Sequence, residues 1–116
     1  MRRGWSESIY NHISLKVPGE DHAFLINPYG LLYDEVTASN LVKIDIDGNV
    51  LAGNYPVNKA GFTQHAYFHR HLDWAHAICH THTTATMAVC ASEGGLEPSN
   101  FYACNFQGQI GYHDFE

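Results

Sequence analysis

The sequence predicts an α/β domain built on a mainly antiparallel sheet covered by helices, and three observations carry that reading. Through residues 9–17 apolar and polar positions alternate, with Ile13, Leu15 and Val17 on one face and His12, Ser14 and Lys16 on the other, the period of a half-buried strand. Asp47-Gly48 separates two further runs, residues 41–46 and 49–52, and reads as the two-residue type I′ turn of a hairpin. Residues 59–72 then switch to a helical period and lead into a short apolar run and a second helical stretch, a helix, strand, helix unit.

The elements follow in order. Residues 1–8 carry no period of their own. Pro18-Gly19-Glu20-Asp21 turns the chain, so residues 23–26 return antiparallel to the first strand. That second strand stops at Asn27-Pro28-Tyr29-Gly30, either a plain turn or a place where Gly30 lets backbone approach a ligand. Residues 31–37 are irregular, and Thr37-Ala38-Ser39-Asn40 suits a single helical turn. After the hairpin and a loop over residues 53–57, Asn58 can cap the helix that starts at Lys59; along it Phe62, Ala66 and His69 share a face, with His65 beside them. Thr83-Thr84 caps the next helix, which ends at Gly94-Gly95 and is rich in the small residues that pack closely on a sheet. Strands are expected near residues 101–106 and 110–115.

The totals exclude several classes of function. A chain of 116 residues makes one domain. Its net charge of -6, with six Lys and Arg scattered singly apart from Arg2-Arg3, offers no basic stripe, so nucleic acid is not an expected partner. Three cysteines, Cys79, Cys90 and Cys104, without a Cys-x-x-Cys spacing suggest neither a disulfide framework nor a thiolate zinc site, and a cytoplasmic setting is expected. Gly4-Trp5-Ser6-Glu7-Ser8 stands where a signal peptide needs an apolar run, and no window approaches the roughly 18 apolar residues of a membrane span.

Chemistry concentrates in the histidines. A strand over residues 77–82 puts His80 and His82 on one face and Cys79 and Thr81 on the other. Two such imidazoles can close on one divalent ion at about 2.0–2.1 Å per nitrogen, or stand as strand-end histidines bonded to backbone. A strand end running into a helix start is where α/β proteins often place chemistry. The second His-x-His pair, His69 and His71, lies in the helical stretch, where positions two apart do not face each other. His65 and His69 are four apart, which is a ligand spacing on a helix and also the spacing of packed amphipathic side chains.

Taken together, the order of these motifs resembles the class II aldolase/adducin family. Asn11-His12-Ile13-Ser14 resembles its early asparagine-serine strand, and Phe24-Leu25-Ile26-Asn27-Pro28-Tyr29-Gly30 its substrate-binding turn. Tyr33-Asp34-Glu35-Val36-Thr37-Ala38-Ser39-Asn40-Leu41-Val42 and Asp45-Ile46-Asp47-Gly48 resemble the segment that follows, and Ala77-Ile78-Cys79-His80-Thr81-His82-Thr83 its metal-binding strand. The resemblance implies a divalent metal, zinc as a rule, held by His80 and His82 and acting as a Lewis acid on a carbonyl oxygen, to stabilise the enediolate formed as a carbon–carbon bond is made or broken. It implies a lyase or related carbonyl enzyme acting on a small hydroxy-carbonyl compound, with Asn11, Asn27 and Gly30 lining the pocket for the substrate's anionic end and Lys59 able to meet an anion. His65 becomes a third ligand or a proton carrier. A homo-oligomer, typically a tetramer, is implied too.

The chain departs from the sugar-phosphate aldolases at Lys59-Ala60-Gly61. They carry a serine pair and then a glutamate there, and Gly61 has no carboxylate to move a proton. This wording resembles the adducin-like branch, which implies the alternative of a structural or interaction domain without catalysis. Tyr29, bulky where the turn carries a small hydroxyl residue, narrows the implied pocket. By resemblance, residues 1–116 correspond to the first part of the fold and are expected to be truncated at both ends.

Overall fold

The computed structural model describes residues 4–114, so Arg2-Arg3 and the end of the strand expected at Phe115 lie outside the described residues. The chain divides into two compact units, one up to Thr83 and one from Thr84 onward.

The first unit is a five-stranded antiparallel sheet with one long helix. In chain order it contains β1 (His12–Lys16), β2 (Ala23–Ile26), a 3-10 turn at Ala38–Asn40, β3 (Val42–Asp45), β4 (Val50–Ala52), α1 (Lys59–His71) and β5 (Ala77–His80). The strand order across the sheet is β4-β3-β2-β1-β5. Pairing sets the core: Phe24 lies opposite Ile44 and Ile26 opposite Val42, so these four side chains share one face. They are fully buried together with Ala66 of α1, and Ile46, Val57 and Phe62 pack around them. Asn58 starts α1 as expected, its Oδ1 accepting from the Ala60 N–H at 3.1 Å.

The strand at residues 12–16 has the expected period and the opposite polarity from an ordinary amphipathic strand. His12 and Ser14 are buried, while Ile13 and Leu15 remain 46% and 49% exposed. The polar face is the one under α1, where Ser14 meets His65 and His69, and His12 meets the capping residue Asn58.

The hairpin at Asp47-Gly48 differs from the two-residue turn. Asp45 bonds to Asn49 across three residues, its N–H donating to the Asn49 carbonyl at 3.0 Å, and of the expected pair only Gly48 adopts positive φ, at 92°. The cause is the Asp45 carboxylate, which accepts from Asp47 N–H and Asn49 N–H at 2.9 Å each and from Asn49 Nδ2 at 2.8 Å. The Asn49 side chain and then its backbone N–H hold that carboxyl below its ordinary pKa.

The second unit contains α2 (Thr84–Cys90) and α3 (Phe101–Cys104), and none of the residues of α2 is buried. The two strands expected here are not formed: residues 101–104 are helical, and residues 110–114 are not in a strand. Asn100 decides the first case, since its Oδ1 accepts from the Ala103 N–H at 3.0 Å and caps α3 against the strand preference of Phe101 and Tyr102. Among the described residues no helix is long and apolar enough to cross a membrane.

Candidate metal and proton-handling site

β5 ends at His80, so His82 lies just beyond the strand rather than on it. The two rings nevertheless converge. His80 Nε2 and His82 Nε2 are 2.8 Å apart, with the ring planes 74° from one another. On its other side, His82 Nδ1 lies 2.6 Å from a carboxylate oxygen of Glu7, which can only accept, so Nδ1 carries a proton and Nε2 is the atom turned toward His80. A carboxylate behind a ligating imidazole is the usual way a metal-binding histidine is oriented. Burial and then the neighbouring His82 lower the pKa of His80, which favours the neutral form a metal requires.

These features fit a divalent ion. Two nitrogens that now share one proton need to part by only about 0.5 Å to reach the roughly 3.3 Å separation of a tetrahedral pair with bonds of 2.0–2.1 Å. His65 does not join them: among the described residues no group of three His, Cys, Asp or Glu is placed to hold an ion, so its third-ligand role is not met. Glu7 escaped the sequence reading because residues 1–8 have no period.

His12, part of the strand motif, was not among the expected site residues. It lies opposite His80 in the β1–β5 register, and the rings stack with centroids 4.9 Å apart and planes 19° from parallel. Its Nε2 is 3.2 Å from Asn58 Nδ2. Because Asn58 Oδ1 is already committed to capping α1, the amide nitrogen faces His12 and donates, so the His12 proton is on Nδ1. Burial first, then His80 and His82, push the pKa of His12 down to about 4. Gly61 makes room for this ring, since a Cβ on Gly61 would lie 2.5 Å from His12 Nε2 and 2.7 Å from Cδ2 and Cε1.

Behind His12, His65 is fully buried on α1, its ring edge-on to His12 with centroids 5.6 Å apart. Ser14 Oγ lies 2.5 Å from His65 Nδ1 and 2.8 Å from His69 Nε2, and His69 Nδ1 lies 3.0 Å from the Ala75 carbonyl oxygen. Burial, followed by the adjacent imidazoles of His12, His69 and His80, pushes the pKa of His65 down to about 4. His69 is also lowered, by burial above all. Three buried polar atoms here have no hydrogen-bond partner among the described residues: His65 Nε2, His12 Nδ1 and Asn11 Nδ2.

The remaining expected site residues have different duties. Asn11 is buried and its Oδ1 accepts from the Glu7 N–H, while its amide nitrogen has no hydrogen-bond partner among the described residues. Asn27 is engaged in structure at both ends: Oδ1 accepts from Ile13 N–H at 2.8 Å and Nδ2 donates to the Asn11 carbonyl at 3.2 Å. Gly30 has φ of 96° and open space where a Cβ would lie, so conformation rather than close approach requires glycine. The Tyr29 N–H donates to Pro56 O at 2.9 Å, tying this turn to the loop that leads into α1, whose first residue is the exposed Lys59.

A sequence model described as Class II Aldolase and Adducin N-terminal domain matches residues 1–116. The chain belongs to the class II aldolase and adducin family. Within that family it is 45% identical over 115 residues to rat alpha-adducin, covering 97% of this chain and 16% of the adducin. The crystal structure of an aldolase II superfamily protein from Pseudomonas syringae superposes with a TM-score of 0.93 at 44% identity, covering 97% of this chain and 46% of the other. L-fuculose 1-phosphate aldolase from Glaciozyma antarctica superposes at 0.85 with 30% identity, covering 92% and 45%. The chain thus spans less than half the length of these relatives.

Proposed function

We propose that this chain contributes part of a class II aldolase-type site, in which His80 and His82 supply two ligands to a divalent cation, zinc by preference, and His65 carries the proton. The observation that supports this reading is the convergence of the two Nε2 atoms at 2.8 Å with Glu7 braced behind His82. When bound, such an ion polarises a carbonyl oxygen. Deeper in the site, burial holds His65 neutral, and its unpaired Nε2 is the atom through which it would accept a hydrogen from a substrate hydroxyl or carbon acid. Asn11 Nδ2 has a spare N–H for a substrate oxygen, and Lys59 at the start of α1 suits an anionic end. The reaction class is cleavage or formation of a carbon–carbon bond in a small hydroxy-carbonyl compound, in a cytoplasmic homo-oligomer, a tetramer on the family pattern.

A second reading is supported by Gly61 and by the adducin relative. The space a side chain at Gly61 would need is filled by the His12 ring, so α1 offers no carboxylate there, and the chain then serves as an adducin-like interaction domain. Zinc titration calorimetry, paired with light scattering for assembly, separates the two. Under the enzyme reading near-stoichiometric zinc binds and is lost in His80→Ala and His82→Ala. If neither variant changes metal content and assembly is untouched, the catalytic reading falls and the interaction domain stands.

A further inference from the structure

We propose that Ser14 and His69 are positioning residues that hold His65 in its Nδ1–H form, leaving Nε2 as a bare lone pair that takes a proton donor. The inference rests on the reading of His65 as the proton carrier, and it follows from counting protons through three contacts. The Ala75 carbonyl can only accept, so His69 Nδ1, 3.0 Å away, carries the proton. The His69 ring is buried and neutral, so its Nε2 is an acceptor and receives the single hydroxyl proton of Ser14 at 2.8 Å. Ser14 Oγ then has only lone pairs to offer His65 Nδ1 at 2.5 Å, and His65 must donate.

The opposite order fails. Were the His65 proton on Nε2, Ser14 would have to give its one proton to His65, and two lone pairs would face each other across the 2.8 Å contact to His69. A backbone carbonyl just before β5 therefore dictates, through two side chains, which nitrogen of a helix histidine is basic. The basic atom is His65 Nε2, buried and without a hydrogen-bond partner among the described residues. Its complement is a hydroxyl or water, or a carbon acid held against it, and not another acceptor. Ser14 touches no reacting atom in this scheme. Its role is orientation.

The test is long-range proton–nitrogen NMR of the metal-free protein labelled with ¹⁵N-histidine at neutral pH, where protonated and bare ring nitrogens resonate apart. His65 and His69 are both expected as Nδ1–H forms. Ser14→Ala should leave His69 in that form and turn His65 into a mixture, and Ser14→Thr, which keeps the hydroxyl, should restore the single form. An Nε2–H His65 in the parent protein overturns the proposal, and so does an unmixed Nδ1–H His65 in Ser14→Ala. If Ser14→Ala does not fold, the parent and Ser14→Thr spectra decide: a single Nδ1–H form in both supports the proposal, and anything else overturns it. Zinc added to the same sample reports separately on His80 and His82, so failure of the metal reading leaves their signals unmoved while the His65 form is still read.

Discussion

Replacing Gly61 by alanine sets two opposing terms against each other on one atom. Alanine is the better helix former, by up to about 1 kcal/mol, and on that ground alone the variant would gain stability. The new Cβ, however, would lie 2.5 to 2.7 Å from three atoms of the His12 ring. That ring cannot swing aside freely, because it is buried, stacked on His80 at 4.9 Å and bonded to Asn58 at 3.2 Å. Overpacking of this kind costs about 1–3 kcal/mol, and losing the Asn58 bond adds about 1 kcal/mol. The net expectation is a loss of about 1–3 kcal/mol. Urea unfolding followed by tryptophan fluorescence reads it, since both tryptophans, Trp5 and Trp74, belong to the first unit. In a His12→Ala background the obstacle is gone and the same substitution should stabilise by up to about 1 kcal/mol, so the sign reverses and the cycle shows a coupling of about 2 kcal/mol or more. A Gly61→Ala protein as stable as the parent, or an equal loss in both backgrounds, would refute the packing argument.

Three further outcomes are expected. Glu7→Gln removes the carboxylate behind His82 and should weaken zinc binding about 10–100-fold by calorimetry, with unfolding little changed; unaltered affinity would dismiss the brace. Since the pKa of His65 is pushed from 6.5 down to about 4 in the folded protein, the unfolded chain binds the proton first. The contribution is complete above about pH 6.5 and is lost as pH falls toward 4, by up to about 3 kcal/mol, and a stability flat over that window would contradict it. Asn27→Ala strands the Ile13 N–H and the Asn11 carbonyl and should cost about 2–5 kcal/mol in urea unfolding; a change below about 1 kcal/mol would mean the clasp is idle.

What the sequence made legible was local. The alternation of β1, the return of β2 through Pro18-Gly19, the Asn58 cap of α1 and the proximity of His80 to His82 all depend on residues a few positions apart. The losses came where distance or competition decided. His12 and Ser14 read as the outward face of a strand because nothing near them announces that α1, some fifty positions later, brings His65, His69 and Asn58 to meet them. Glu7 reaches His82 across 75 positions, from a stretch with no period. At Phe101-Tyr102 aromatic strand preference was outweighed by one capping amide, and at Asp45 a carboxylate enlarged a turn whose Asp-Gly pair alone suggested a tighter one.

Asn58 joins helix and site through the two ends of a single amide. As a cap, aspartate would serve about equally well, being of the same shape and near the top of the same ranking. Aimed at His12, it would not: the group now giving a hydrogen to Nε2 would become a second acceptor, and the imidazole would have to move its own proton across the ring or turn away from His80. The helix start is therefore indifferent between two residues that the neighbouring ring tells apart, and a substitution that looks silent to the backbone would speak first through the stacked histidines.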